Sequence, residues 1–285
     1  MSNFVQRTLS GAVYVGLVVA SILVHPVFFA VLFGLVTVLA VCEYHHLMRS
    51  DCFLTIVSAI AAGVMFFGAA FCFLITTYYN DLIISILIGL YLFLVLFALI
   101  SELFRKAQNP IANWGHFLVS QVMIALPFSM MCFVMYADSR LLLALFILIW
   151  LNDSGAYCVG SLMAKRKGGN HKMFLRVSPG KSWEGLIGGA VVAIAVGALL
   201  AYAGCFDRLN PLNVYAVGCV FALVVVVFGT LGDLMESLMK RTIGVKDSGK
   251  FLPGHGGVLD RFDSILLATP AVCLLLYVLI SLCGA

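Results

Sequence analysis

The chain has 285 residues, of which 63% are hydrophobic and only 11% are charged, and its formal net charge is +4. A soluble domain of ordinary composition carries roughly 25% charged residues, so this composition excludes one and indicates an integral membrane protein. At roughly 20 residues per span, the length accommodates several helices but no further soluble domain of ordinary size.

Uncharged apolar runs, cut at polar residues and prolines, predict an all-α bundle of about nine transmembrane helices. The first two runs are short and are separated only by His25 and Pro26, so they predict either a tight hairpin or one bent interfacial unit. Arg7 precedes the first run as in a signal peptide, but no small-residue cleavage site follows, and we expect the segment to be retained. The predicted spans cover residues 9–24, 27–42, 53–75, 82–100, 117–136, 141–162, 186–202, 212–231 and 265–282.

Lys and Arg are distributed unevenly between the loops on the two sides. Of the 17 basic residues, all except Arg140 and Arg208 fall on the side of the N-terminus. Because cytoplasmic loops carry the excess of Lys and Arg, we expect the N-terminus and two long loops, 163–185 and 232–264, to face the cytoplasm across the inner membrane. Basic loops also occur simply as topology determinants, so these residues alone do not indicate a site.

Two of the predicted spans carry acidic residues toward their cytoplasmic ends. Asp153 lies in the sixth span, where a carboxylate in hydrocarbon costs about 2.5–3.5 kcal/mol on insertion scales and usually marks function. Asp233, Glu236 and Lys240 follow one another on one face at the end of the eighth. The second set is equally consistent with a solvated helix end that carries a Glu236 to Lys240 pair.

Asp260 and Asp263 lie three residues apart at the start of the ninth span, and we predict that they share one helical face. Acids at a helix start can simply complement its macrodipole. However, three spans bring Asp153, Asp233 and this pair to one depth on one side, and grouped carboxylates repel unless a cation lies between them. Hard oxygen ligands suit magnesium. We therefore predict a magnesium site with Asp233, Asp260 and Asp263 as ligands and Asp153 as a further ligand or neighbour.

Glycines and basic residues fill the segments between these acids. Before the ninth span, Gly249, Gly254, Gly256 and Gly257 let the backbone approach a ligand closely, and successive amides in such turns can form an anion-binding nest. The run SPGKSWEGLIGG around Lys181 is a similar device. Neither run matches the Walker A pattern, but together with bases and metal-type carboxylates they favour phosphate chemistry at the membrane surface.

The segment from Ser237 to Asp263, SLMKRTIGVKDSGKFLPGHGGVLDRFD, resembles the signature of the phosphatidate cytidylyltransferases, or CDP-diacylglycerol synthases. It fills every fixed position of the pattern S-x-x-K-R-x4-K-D-x-G-x2-L-P-x-H-G-G-x-x-D-R-x-D. The runs WLNDSGAYCVGSLMAKR and SPGKSWEGLIGG also resemble family segments, whereas KRKGGNHKMFLRVSP looks longer than the usual connection. We accordingly divide the chain into an N-terminal scaffold, 1–140, which could enclose a lipid cavity, and a catalytic region, 141–285.

The resemblance implies that the chain transfers the cytidylyl group of CTP to phosphatidic acid, giving CDP-diacylglycerol and pyrophosphate, with Mg²⁺ as cofactor. CTP, phosphatidic acid and membrane lipids are then the partners and nucleic acid is not, while a homodimer and a second cation stay open. The residues implied for catalysis are Asp233, Asp260, Asp263, Lys246 and Asp247. Those implied for substrate binding are Ser178, Lys181, Glu184, Lys240, Arg241, His255, Gly256, Gly257 and Arg261.

Two functions of other classes compete with this interpretation. A cation or proton-coupled transporter would line its pathway with Asp153 and Asp233, but no acid lies in the middle of a predicted span. A membrane kinase acting on a polyisoprenoid or lipid alcohol would share magnesium and phosphates, yet it would need a general base.

Overall fold

The computed structural model describes residues 3–75, 81–166, 169–209, 213–249 and 256–283, and these residues are predominantly helical. The predicted polytopic helical membrane fold is confirmed, because eight helices in the described part are long and apolar enough to cross a membrane. The helix over the first predicted span has a shorter apolar stretch, Leu9–Val24. The helices are α1 Asn3–Val24, α2 Pro26–Leu47, α3 Cys52–Ala70, α4 Asp81–Phe104, α5 Pro110–Val119, α6 Leu126–Ala137, α7 Ser139–Ala164, α8 Trp183–Tyr202, α9 Val214–Thr242, α10 Leu259–Phe262 and α11 Ile265–Cys283.

Shorter elements join or extend these helices. A π-helical segment, Phe71–Ile75, extends α3, and another, Ser120–Ala125, joins α5 to α6 into one span. Strands β1, Lys172–Phe174, and β2, Ser178–Ser182, pair antiparallel between α7 and α8. A 3-10 turn, Asp207–Leu209, follows α8.

The helix boundaries follow polar residues that cap the helix ends. His25 has an extended backbone and Pro26 opens α2, so α1 and α2 are two helices rather than one bent helix. The Asp51 side chain accepts a hydrogen bond from the Leu54 amide (2.8 Å) at the start of α3. Asn109 caps α5 in the same way, and the fifth span therefore begins at Pro110 rather than at residue 117 as predicted.

Packing divides the chain into two compact units. The first comprises Met1–Tyr136 and Val245–Phe262, and the second comprises Ala137–Gly244 and Asp263–Ala285. By packing, the described residues of the glycine-rich segment before α11, 245–249 and 256–262, therefore belong with the N-terminal helices. The functional division at residue 140 stays a prediction.

An aromatic cluster forms part of the core of the first unit. Phe29 and Phe33 of α2 stack with their ring centroids 4.6 Å apart, and both side chains are fully buried. The ring of Phe262, from α10, meets Phe33 edge-on at 5.8 Å and Phe128 at 5.6 Å. These contacts anchor the end of the glycine-rich segment in the first unit.

In the second unit, α7, α8, α9 and α11 pack together through small residues. A Cβ added to Gly197 of α8 would lie 2.5 Å from the carbonyl oxygen of Gly218 in α9. One added to Gly189 would lie 2.6 Å from the carbonyl oxygen of Asn152 in α7. Small residues let membrane helices approach closely. In lipid no hydrophobic driving force acts between helices, so this close packing stabilises their association. The buried stripe of α8 consists of Gly185, Gly189, Ala193, Gly197 and Ala201.

The start of the last span differs from the prediction. Asp260 lies in α10, which ends at Phe262, and Asp263 lies in the turn that precedes α11. The Asp263 carboxylate accepts a hydrogen bond from the Ser264 amide (2.6 Å), a local bond that competes with helix continuation. The prediction that Asp260 and Asp263 share one helical face is therefore wrong.

Candidate active site

The end of α9 carries a buried ion pair in the second unit. The Lys240 Nζ atom lies 2.5 Å from an Oε atom of Glu236, one helical turn earlier. Glu236 has no exposed surface, and Lys240 is nearly as buried. The pair predicted from the i, i+4 spacing is confirmed, but the interpretation as a solvated helix end is wrong. Burying a charge is costly unless it is paired, so removing either partner would leave the other as an uncompensated buried charge.

Lys181 connects strand β2 to the same helix. Its Nζ atom lies 2.8 Å from the Asp233 carboxylate and donates a hydrogen bond to the Thr230 carbonyl oxygen (3.4 Å). Nearby, the Arg241 Nε atom donates to the carbonyl oxygen of Val177 (3.3 Å). The β-hairpin and the end of α9 therefore form one assembly that presents lysines and carboxylates together.

Asp263 completes a group of carboxylates in the second unit. Its charge interacts with those of Asp233, Glu236 and Asp153, and its side chain is partly buried. Such a group is self-repelling, and Lys181 and Lys240 offset part of that repulsion. Asp153, on α7, is exposed. Of the acids that the sequence predicts for a metal, the structure thus places Asp153 and Asp233 within electrostatic range of Asp263.

The donor chemistry of this group fits magnesium. Among the described residues, no three His, Cys, Asp or Glu side chains are arranged to hold one metal ion between them. Magnesium does not require such a cage, because it is usually held by one or two carboxylates together with water and substrate phosphates. Asp233 and Asp263 would supply the carboxylate oxygens of such a site.

In the first unit, Asp260 joins the described residues on the two sides of the glycine-rich segment. Its carboxylate accepts hydrogen bonds from the amides of Ser248 (2.9 Å) and Gly257 (2.8 Å). Gly256 has a φ of 81°, and a Cβ there would collide with the Asp260 carboxylate. The side chains of Lys246 and Asp247 are exposed. Lys250, Gly254 and His255 lie outside the described residues.

Glu43 of α2 contacts the segment that carries several predicted site residues, and the sequence did not predict this contact. Its carboxylate accepts hydrogen bonds from the amides of Val258 (2.8 Å) and Leu259 (3.1 Å), and from the Ser248 hydroxyl. The only sequence signal is a carboxylate at the end of an uncharged apolar run, since its partners lie about 205 to 216 positions away. Amides of the predicted anion-binding nest thus donate hydrogen bonds to the protein's own carboxylates, Glu43 and Asp260.

The other predicted binding residues are distributed over both units. Glu184, at the start of α8, accepts hydrogen bonds from the His171 amide (3.0 Å), and its carboxylate lies 2.5 Å from the His171 ring. Ser178 lies in β2 with Lys181. Arg261 is exposed, and its carbonyl oxygen accepts a hydrogen bond from the Tyr14 hydroxyl (3.3 Å).

The chain resembles a known protein family over most of its length. A family model described as "Cytidylyltransferase family" matches residues 5–279. A phosphatidate cytidylyltransferase of Staphylococcus haemolyticus is 44% identical over 131 residues, which make up 46% of this chain and 46% of the relative. One of Haemophilus influenzae is 43% identical over 135 residues, which make up 47% of this chain and 45% of the relative. These alignments cover slightly less than half the length of the relatives.

Proposed function

The chain belongs to the cytidylyltransferase family, and we propose that it transfers the cytidylyl group of CTP to phosphatidic acid, forming CDP-diacylglycerol and pyrophosphate. The similar proteins of Staphylococcus haemolyticus and Haemophilus influenzae carry the name phosphatidate cytidylyltransferase. The observation that carries the proposal is the pairing of Lys181 with Asp233 and of Lys240 with Glu236 toward the end of α9. Asp263 lies within electrostatic range of Asp233, Glu236 and Asp153. Such a group suits a lipid phosphate and a nucleotide that meet at a membrane surface.

The proposed reaction joins two polyanions. A phosphate oxygen of phosphatidic acid attacks the α-phosphorus of CTP, the bond from that phosphorus to the bridging oxygen breaks, and pyrophosphate leaves with the bonding electrons. The nucleophile is already anionic, so no general base is required. The protein must instead offset charge and hold the reactants in line. Lys181 and Lys240, and Arg241 and Lys246 by their place in the family signature, are the residues for that task.

Magnesium is the proposed cofactor. Asp233 and Asp263 would hold it, and Asp153 lies within electrostatic range of Asp263. When bound, magnesium would supply positive charge to the phosphate oxygens of the transferred group. Asp260 stays a predicted ligand on the basis of the sequence, because its carboxylate also binds the amides of Ser248 and Gly257.

We further propose that the N-terminus and the active site face the cytoplasm, with the chain in the cytoplasmic membrane. The distribution of Lys and Arg supports this orientation. In a cysteine-free background, Arg176→Cys and Lys106→Cys, at exposed positions, should react with an impermeant maleimide only after the membrane is permeabilised. Ala203→Cys, after α8, should react in intact cells. Labelling of position 176 from outside intact cells would contradict the orientation.

The experiment that tests the activity is a reconstitution in mixed micelles. Purified protein receives CTP, magnesium and phosphatidic acid, and the lipid product is identified by its mass. We expect a lipid that has gained one cytidylyl group, and we expect none when magnesium is chelated. In parallel reactions in which diacylglycerol or polyprenol replaces phosphatidic acid, a phosphorylated lipid alcohol would indicate a kinase. Ion flux into liposomes without any lipid product would indicate a transporter.

A further inference from the structure

We propose that Glu43 is a positioning residue, which holds the two described parts of the glycine-rich segment, 248–249 and 256–260, in the arrangement that binds the nucleotide. Glu43 lies at the end of α2, and the segment lies more than 200 positions later in the same compact unit. That Glu43 holds the segment is inferred from its hydrogen bonds alone. That this contact affects the binding of CTP rests on the proposed function.

Three donors from the segment converge on the one carboxylate. The amides of Val258 and Leu259 bind different oxygens of Glu43, at 2.8 Å and 3.1 Å, and the Ser248 hydroxyl binds it as well. Hydrogen bonds to an ionised carboxylate are roughly twice as strong as those between neutral groups. The donors come from both ends of the segment, so Glu43 ties these two ends to α2.

The glycines of the segment make this approach possible. A Cβ on Gly257 would collide with both the Glu43 carboxylate and the Ser248 hydroxyl. One on Gly249 would lie 2.8 Å from a Glu43 oxygen. The sequence predicts that these glycines make room for a ligand, and here the room beside Gly249 and Gly257 is occupied by Glu43.

A second carboxylate closes the segment internally. Asp260 joins the amides of Ser248 and Gly257, and the Phe262 ring is buried in the aromatic cluster of the first unit. Asp260 therefore joins the two described parts of the segment to each other, while Glu43 holds both parts against α2. Groups that are held in place before binding lose less conformational entropy when the nucleotide arrives. Loss of Glu43 should consequently weaken nucleotide binding more than it slows the chemical step.

Glu43→Gln tests this role because it keeps the shape but replaces one accepting oxygen by an NH₂ group. We expect the KM for CTP to rise at least about tenfold, while kcat and the KM for phosphatidic acid change by less than about threefold. Ser248→Ala, which removes one of the three donors, should raise the KM for CTP to a smaller extent. In the double variant the two effects should not add, because both act through the same contact.

Glu102→Gln is the matched control. Glu102 is a buried carboxylate of the same unit that binds Arg105 (2.7 Å) and Asn113 (2.9 Å). It should lower thermal stability without changing the KM for CTP. An equal rise in KM for Glu102→Gln and Glu43→Gln would show a general structural effect and would overturn the proposal.

Hydrogen exchange gives a readout that does not depend on activity. In Glu43→Gln, amides in the peptide that contains Val258 and Leu259 should exchange faster than in the wild type, while the helices of the second unit keep their protection. Unchanged exchange in this peptide would overturn the role of Glu43. If the wild type transfers no cytidylyl group, the proposed function fails, and the exchange result still decides whether Glu43 holds the segment.

Discussion

Asp263→Asn is expected to lower the rate of cytidylyl transfer at least about a hundredfold. The substitution keeps the shape of the side chain and removes the negative charge that a magnesium ligand needs. A metal ion contributes several kcal/mol to catalysis, and each factor of ten corresponds to about 1.36 kcal/mol. The measurement is the transfer rate as a function of magnesium concentration for the wild type and the variant. The variant should also require more magnesium for half-maximal rate.

Asp207→Asn is the control for this prediction, because Asp207 is an exposed acid in the same compact unit. It should retain the wild-type rate and magnesium dependence. If Asp263 only complemented a helix dipole, its replacement would cost less than about 1 kcal/mol and would hardly affect catalysis. A well-folded, monodisperse Asp263→Asn protein within about threefold of the wild-type rate, a difference below 1 kcal/mol, would exclude Asp263 as a catalytic metal ligand.

Gly197→Leu is expected to destabilise the second unit. The new side chain would start where a Cβ already lies 2.5 Å from the Gly218 carbonyl oxygen, so α8 and α9 would have to move apart. Overpacking costs about 1–3 kcal/mol, and we expect the unfolding midpoint in detergent to fall by about 5 °C or more. Activity should fall as well, because α9 carries Asp233, Glu236 and Lys240.

Gly89→Leu provides the comparison in an exposed part of α4. A Cβ at Gly89 meets no heavy atom within 4 Å, and leucine has a higher helix propensity than glycine. Its unfolding midpoint should equal or exceed that of the wild type. If Gly197→Leu and Gly89→Leu proved equally stable, the small-residue stripe of α8 would not determine the packing of α8 against α9.

Local patterns in the sequence predict much of this fold. The apolar runs identify the helices because membrane insertion depends on the hydropathy of about 20 consecutive residues. Asp51 caps a helix close to where the third run begins. The pairing of Glu236 with Lys240 also follows from their spacing within one helix. In each of these features the partners lie within a few residues of each other.

Features that depend on distant contacts escape such a prediction. Glu43 has no local pattern that identifies it, because its partners Ser248, Val258 and Leu259 are brought to it only by folding. The predicted shared face of Asp260 and Asp263 assumes a continuous helix, whereas α10 ends after one turn with Phe262 buried in the aromatic cluster. The burial of Glu236 likewise depends on the helices that pack around it and not on the sequence of α9 alone.

In the proposed reaction, the α-phosphoryl group of CTP passes to phosphatidic acid together with its cytidine. The most direct measurement gives the purified protein, in parallel, CTP labelled at the α-phosphorus and CTP labelled at the γ-phosphorus, with phosphatidic acid and magnesium. We expect the α-label to enter the lipid fraction and the γ-label to leave as pyrophosphate. Transfer of the γ-label to lipid, or failure of the α-label to enter lipid under these conditions, would contradict the proposed cytidylyl transfer.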